Sequence, residues 1–352
     1  MSRFFSPMHS SLTPYTPGEQ PRGEVLVKLN TNESPFPPSP SVLDAIAGAV
    51  THLNLYSDPQ GVELRTALAS YHGVSAEQIS LGNGSDETLA FAFTAFGDAE
   101  HGFVFPDVTY GFYPVFSRLF GVAYEEFPLS ASLEINVDDY LNTGRNVIIA
   151  NPNAPTGIAL QLSEIERIAA SNPDRVVIID EAYIDFAGAD ATAVPLVAKF
   201  DNLLVVRTYS KSRNLAGARL GYAVGSPELI ADLETIRYSF NPYNVNSLTL
   251  AAGAAALQDN DFYAQTWDEL ARTRDKFAAK LRALGIEVTQ SRANFVFAKH
   301  PKFSGSELQK MLRERGFLVR NLGPARIRDW LRITIGTRDN MNNLAKELEN
   351  LL

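Results

Sequence analysis

Lys211 sits in the small-residue run Thr208-Tyr209-Ser210-Lys211-Ser212, and Arg219 follows it by eight residues. Asp180 precedes the lysine by 31 residues and closes the apolar run Val176-Val177-Ile178-Ile179. These three residue types suit an aldehyde cofactor that carries a pyridine ring and a phosphate. A free lysine, with a pKa of about 10.4, is a poor nucleophile at neutral pH. As an imine to a carbonyl it is pre-activated, and the released amine can shuttle protons. A carboxylate at the end of an apolar strand is costly unless paired. Opposite a pyridine nitrogen it would keep that nitrogen protonated and turn the ring into an electron sink. Arg219 and the Ser210 hydroxyl would neutralise and hydrogen-bond a phosphate. Tyr183, three residues past Asp180, is placed to reach the same ligand. Plainer readings exist: a Ser-Lys pair is commonly a surface feature, and Asp180 could cap the next turn.

Two loops add to this set. Gly82-Asn83-Gly84-Ser85-Asp86-Glu87 opens an expected helix. Its glycines allow close backbone approach, and the free N–H groups of a helix start bind phosphate. An ordinary turn with Ser85 or Asp86 as N-cap accounts for it equally well. The neighbouring carboxylates would repel a phosphate unless they point away, so the backbone must do the binding. Asn151-Pro152-Asn153-Ala154-Pro155-Thr156-Gly157 follows an expected strand, and Asn153 could present its amide to a ligand oxygen. The same segment also reads as a stiff connection.

These groups need strands to carry them. Apolar runs predict strands at 102–105, 122–127, 146–150, 176–180, 203–207 and 220–224. Helical patterns lie between them, as at 87–96, 110–120 and 162–170. Strands apolar throughout and separated by helices indicate a mostly parallel sheet covered on both faces, with ligands beyond the strands' carboxyl ends. Residues 1–40, rich in Pro, Ser and Thr, read as an extended arm, 41–245 as a large domain, and 246–352 as a smaller α+β domain. In the last, 246–284 is helical pattern, followed by short strands at 286–288, 294–298 and 331–335 and helices at 306–315 and beyond 339.

With 352 residues, the chain is long enough for two domains. It has no cysteine, which excludes disulfides, thiolate metal sites and a Cys nucleophile. Its five histidines are scattered, so no metal is expected. A net charge of −9 argues against wrapping nucleic acid. No apolar stretch approaches the roughly 20 residues of a membrane span, and the N-terminus lacks a signal peptide's apolar core, so a cytoplasmic protein is expected.

Taken in order, these segments resemble the class II aminotransferases of the pyridoxal-phosphate-dependent fold type I. The likeness spans nearly the whole chain. It also takes in Leu29-Asn30-Thr31-Asn32-Glu33-Ser34-Pro35, Tyr56-Ser57-Asp58-Pro59, Asp180-Glu181-Ala182-Tyr183 and Leu331-Arg332-Ile333-Thr334-Ile335-Gly336. The resemblance implies an α/β fold with a mostly parallel central sheet and a smaller α+β domain, which the arm joins. It implies pyridoxal 5'-phosphate held covalently by Lys211, with Asp180 on the pyridine nitrogen. Asn153 and Tyr183 would contact the phenolic oxygen. Gly84, Ser85, Asp86, Ser210 and Arg219 would surround the phosphate, and Tyr110 would stack on the ring. Tyr56 matches a tyrosine that reaches the neighbouring subunit's cofactor, implying a homodimer with shared active sites. Asn32 falls among the substrate-binding positions, and Arg332 matches the arginine that receives a substrate carboxylate. Arg320 and Tyr15, in Tyr15-Thr16-Pro17-Gly18-Glu19, match positions that bind a substrate phosphate. Tyr15-x-Pro-Gly-Glu favours the histidinol-phosphate branch, with 2-oxoglutarate as amino acceptor in a ping-pong transamination. Aromatic aminotransferases, threonine-phosphate decarboxylases and non-catalytic effector-binding modules are the rival readings. Ala154 departs from the asparagine often found there, and the setting of Lys211 is more polar than usual, which touches specificity rather than reaction class.

Overall fold

The computed structural model describes residues 2–351 except Ser11 and Glu24. The chain begins with β1 (Val27–Lys28), α1 (Pro40–Ala49), α2 (Val62–His72), β2 (Ile79–Gly82) and α3 (Ser85–Phe96). It continues through β3 (Phe103–Pro106), α4 (Tyr113–Phe120), β4 (Tyr124–Phe127), β5 (Asn146–Ala150), α5 (Leu162–Ser171) and β6 (Val177–Asp180). Next come β7 (Leu203–Thr208), α6 (Tyr209–Ser212), β8 (Gly221–Val224), α7 (Pro227–Phe240), α8 (Ser247–Gln258) and α9 (Asn260–Ala283). The C-terminal part holds β9 (Glu287–Val288), β10 (Phe295–Lys299), α10 (Gly305–Glu314), β11 (Phe317–Leu318), β12 (Arg320–Asn321), β13 (Trp330–Thr334) and α11 (Arg338–Glu349).

Seven strands form one sheet in the order β2-β8-β7-β6-β5-β3-β4. Strands β3 to β7 run parallel, and β8 alone runs against its neighbours β2 and β7. The sheet is therefore mostly parallel, as the apolar runs require. Its strands alternate between two cores, as period-two side chains must. Val147, Ile149, Val177, Ile179, Leu203 and Val205 enter one core, while Ile148, Ile178, Leu204 and Val206 enter the other. Both faces are thus covered, which is why the strands read as continuous apolar runs.

Register sets the site. Ala150 lies beside Asp180, and Asp180 beside Val206. Thr208 lies beside Gly221, and Gly221 beside Gly82. The carboxyl ends of β5, β6, β7 and β2 and the start of the reversed β8 therefore share one edge, where Asn151, Asp180, Lys211 and the Gly82–Gly84 turn emerge.

The helical stretch expected at 246–284 divides into α8 and α9. α8, set beyond the expected boundary at 245/246, buries Ala252, Ala255 and Ala256 in the same core as Leu64 and Leu68 of α2. The physical reason is its small face: a Cβ added at Gly253 would lie 2.4 Å from Leu220 Cδ2. α9 crosses over, with Tyr263 in that core and Leu270, Phe277 and Leu281 in another built on β10, β13, α10 and α11. The second sheet has the order β12-β13-β10-β9. The arm joins this part of the chain through β1, which pairs with β11 in a separate two-stranded parallel sheet. No helix among the described residues is long and apolar enough to cross a membrane.

Candidate active site

A cavity of about 280 Å³ opens at that shared edge, lined by Asn32, Ser85, Asp86, Tyr110, Asp180, Tyr183, Ser210, Lys211, Arg219 and Arg332 among others. Tyr15 and Arg320 also line it. Most of the residues picked out from sequence are therefore brought together, although they come from segments spread over some 300 positions.

Lys211 lies on the one-turn helix α6, whose N-cap Thr208 accepts from the Ser210 backbone N–H. Its Nζ donates to the Thr31 carbonyl at 3.2 Å. Burial, and then the charge of Arg332, pull the lysine's pKa down to about 8. Asp180 is buried, and burial pushes its carboxyl up to about 6. Two donors hold it in place: Tyr113 Oη gives a hydrogen bond to Oδ2 at 2.9 Å, and the Ala182 N–H to Oδ1 at 3.2 Å. Asn32, in the left-handed region at φ 57°, donates its side-chain N–H to Tyr183 Oη at 3.0 Å. That geometry suits asparagine, which tolerates positive φ better than most residues.

Around the first turn of α3, the N-cap is Gly84 rather than Ser85 or Asp86, and no side chain caps the helix. Its leading N–H groups are therefore open to an anion. Gly84 has φ 88°, and a Cβ there would lie 2.5 Å from Arg219 Nη2. A Cβ at Gly221 would come within 2.3 Å of the Ser85 nitrogen. Both glycines are required by close approach. Arg219 donates to Ser210 Oγ at 3.4 Å and pairs with Asp86 at 3.3 Å. The two acids beside this cradle are accounted for. Asp86 also accepts from Tyr110 Oη at 2.6 Å, while Glu87 is turned to the Asn83 N–H and Asn244 Nδ2, each at 2.6 Å.

At the other end, Arg332 gives one hydrogen bond to the Asn30 carbonyl at 3.1 Å and lies 5.6 Å over the Phe295 ring. Its Nε is buried without a partner among the described residues, a donor left for a ligand. Arg320 donates to the Thr16 and Pro17 carbonyls at 2.9 and 3.3 Å, tying Tyr15's segment to the cavity.

Three sequence-derived positions, Gly84, Asn153 and Tyr56, lie outside the cavity lining, and Gly84 sits behind it against Arg219. Asn153 is buried, and its Nδ2 donates to the Val108 carbonyl at 2.9 Å and to Thr156 Oγ1 at 3.2 Å, so Ala154 lines the wall in its place. Tyr56 is exposed and stacks on Tyr243 at 4.5 Å. Tyr113 and Thr31 were not singled out from sequence. The available signal for Tyr113 was its spacing, one helical turn beyond Tyr110.

Beneath the site a buried ionic group links β6 to β7. Arg207 pairs with Asp185 and lies 3.9 Å from Glu181. Glu181 accepts in addition from Thr192 Oγ1 at 2.6 Å and the Ala193 N–H at 2.5 Å. Burial would raise the Asp185 carboxyl, but Arg207 and Arg213 outweigh it and hold it below the ordinary carboxylate range. Removing one partner of such a pair leaves an uncompensated buried charge. Asp185→Ala is therefore expected to cost about 3–5 kcal/mol, read as a lower urea midpoint at unchanged slope.

A lysine amine, a buried carboxylate one strand away, an open helix start with an arginine and a distal arginine define a site for a phosphorylated pyridine aldehyde on a parallel-sheet fold. The chain belongs to the aminotransferase class I and II family, whose model matches residues 24–348. That family is pyridoxal-phosphate-dependent, and the open helix start, the glycine-lined cradle and the buried Asp180 fit that cofactor. The chain is 50% identical over 352 residues to histidinol-phosphate aminotransferase 1 of Bradyrhizobium diazoefficiens, covering 100% of both proteins. It is also 50% identical to histidinol-phosphate aminotransferase of Gluconacetobacter diazotrophicus, covering 100% of this chain and 99% of that one. Among solved structures, histidinol-phosphate aminotransferase of Sinorhizobium meliloti in complex with pyridoxal-5'-phosphate superposes with TM-score 0.89 at 26% identity, covering 99% of this chain and 98% of that chain.

Proposed function

We propose that this enzyme transfers the amino group of L-histidinol phosphate to 2-oxoglutarate, giving imidazole-acetol phosphate and L-glutamate by a ping-pong sequence in histidine biosynthesis. The observation that carries this reading is that two arginines, Arg332 and Arg320, share one cavity with Lys211, with a buried Arg332 donor unpartnered. Such a pair suits a substrate that carries an anion at the end away from its amine. The relatives at 50% identity bear the corresponding name.

Pyridoxal phosphate, when bound, supplies the electron sink. Lys211 holds its aldehyde carbon and moves the proton of the substrate α-carbon. Asp180, oriented by Tyr113, holds the proton of the pyridine nitrogen. Tyr183 and Asn153 serve the phenolic oxygen; for Asn153 this requires exchange of one internal hydrogen bond. Gly84, Ser85 and Asp86 offer backbone N–H groups to the phosphate beside Ser210 and Arg219, and Tyr110 covers the ring face. Asn32, Tyr15, Arg320 and Arg332 receive the substrate. Tyr56, outside its own cavity, serves a second copy of the chain, which makes the working unit a cytoplasmic homodimer. We place the division between the two domains within α9.

A second reading has one observation in its favour. An adjoining cavity shares Tyr15, Tyr110, Arg320 and Arg332 and adds Phe105, Val108, Leu322 and Ile327, walls that would also take a phenyl ring. A single-turnover half-reaction decides between the two. The bound cofactor's absorption band is followed as histidinol phosphate, phenylalanine or threonine phosphate is added. Histidinol phosphate is expected to convert it fastest; no change with histidinol phosphate and conversion by phenylalanine would establish the aromatic reading instead.

A further inference from the structure

Glu33 lines the same cavity as Lys211 and Arg332, and the reading above gives it no task. Its carboxylate is held from one side only. Oε2 takes hydrogen bonds from Lys28 Nζ and from Thr31 Oγ1, the latter at 2.7 Å. Oε1 has no partner among the described residues. Thr31 also fixes the carboxylate relative to the reacting amine, since its carbonyl accepts from Lys211 Nζ. One residue thus anchors both groups, and Glu33 presents a fixed, unshared acceptor beside the amine's position. Lys28 draws its carboxyl pKa down against the effect of burial, so it stays ionised near neutrality.

Three polar groups of the proposed amino donor must find places here. Its amine goes to the position of Lys211. Its phosphate goes to the arginines, away from a carboxylate that would repel it. The imidazole N–H remains, and it needs an acceptor. We infer that Glu33 is a specificity-determining residue that accepts the N–H of a heteroaromatic side chain on the amino donor through Oε1. The inference rests on the histidinol-phosphate reading and deepens it. The same carboxylate disfavours a side-chain carboxylate, so it separates the two amino donors, histidinol phosphate and glutamate, that the site must take in turn.

The test is the half-reaction of the holoenzyme, wild type against Glu33→Gln, with histidinol phosphate and with L-glutamate. Removing a charge-assisted hydrogen bond is expected to lower the ratio of the histidinol-phosphate to the glutamate rate constant (each as kcat/KM) by about 10- to 100-fold. A role limited to holding the arm would depress both substrates alike and leave that ratio within twofold, which overturns the inference. Thermal unfolding and the cofactor's absorption, recorded on the same preparations, establish that the variant is folded and loaded. Should the wild type fail to convert histidinol phosphate, the functional reading falls and this inference with it; a converted substrate with an unmoved ratio removes only the inference.

Discussion

The Lys211→Ala enzyme is expected to lose about 10^4-fold in steady-state transamination, the upper end of what a positioned acid–base group contributes. Lys211 is the only lysine that lines the cavity among the described residues, and burial with the neighbouring Arg332 brings its pKa to about 8. An amine so lowered is partly neutral near physiological pH, where an exposed lysine is almost wholly charged. The substitution leaves Gly84, Ser210 and Arg219 untouched, so cofactor is expected to remain bound, as equilibrium dialysis will measure. Lys211→Arg should fare no better, because guanidinium stays protonated at any working pH. Comparing the two variants separates a base from a counter-ion. Added methylamine should restore part of the alanine variant's rate and none of the arginine variant's. A rate for Lys211→Ala within tenfold of wild type would remove the assignment of this residue.

Lys211, Asp180 and Arg219 were legible because each follows, ends or precedes a strand whose apolar run marks where its side chain must emerge. β5 matches its expected bounds, 146–150, since the run stops at Asn151-Pro152. β2 was hidden: Ser80 interrupts its apolar character, and the hydroxyl is made tolerable by Glu234, which accepts from it at 2.6 Å. The two-residue strands β1, β11 and β12 carry no periodic signal at all. The start of α4 at Tyr113 rather than 110 follows from local chemistry, for Tyr110 Oη goes to Asp86 and Tyr113 Oη to Asp180.

Asn153 shows a different limit. A loop with two prolines lacks two backbone donors, and the Asn153 amide supplies donors of its own, to the Val108 carbonyl and Thr156 Oγ1. Sequence reveals an amide at the right strand end but not whether ligand or loop takes its hydrogens. Glu33 is the converse case. Its approach to Lys28 depends on the left-handed turn at Asn32, whose carbonyl accepts from Asn294, a residue 262 positions away. No local pattern carries that information.

Asp180→Asn is expected to act with opposite signs on activity and on the stability of the cofactor-free protein. In the cofactor-free fold, burial raises the carboxyl from 3.8 to about 6. An acid whose folded pKa is raised contributes its stability below the unfolded pKa and loses it as pH rises through the folded one. Wild type therefore loses on the order of 2–3 kcal/mol from this group between about pH 4 and pH 6. An asparagine cannot ionise, so the variant escapes this loss. Its unfolding free energy relative to wild type should rise across that window and level off above it. Tyr113 can still donate to the amide oxygen, so the packing partner at 2.9 Å is retained. With cofactor bound the balance is expected to reverse, because in the proposed function the carboxylate is the partner of a pyridinium. Loss of that charge should lower kcat by about 10^2- to 10^3-fold, in the range of other preorganised electrostatic contacts. Denaturant titrations of the cofactor-free proteins at pH 4, 5, 6 and 7, set beside steady-state rates, check both signs. A variant whose relative stability does not rise between pH 4 and pH 6 would show that Asp180 is already ionised there, and that Tyr113 and the Ala182 N–H outweigh its burial.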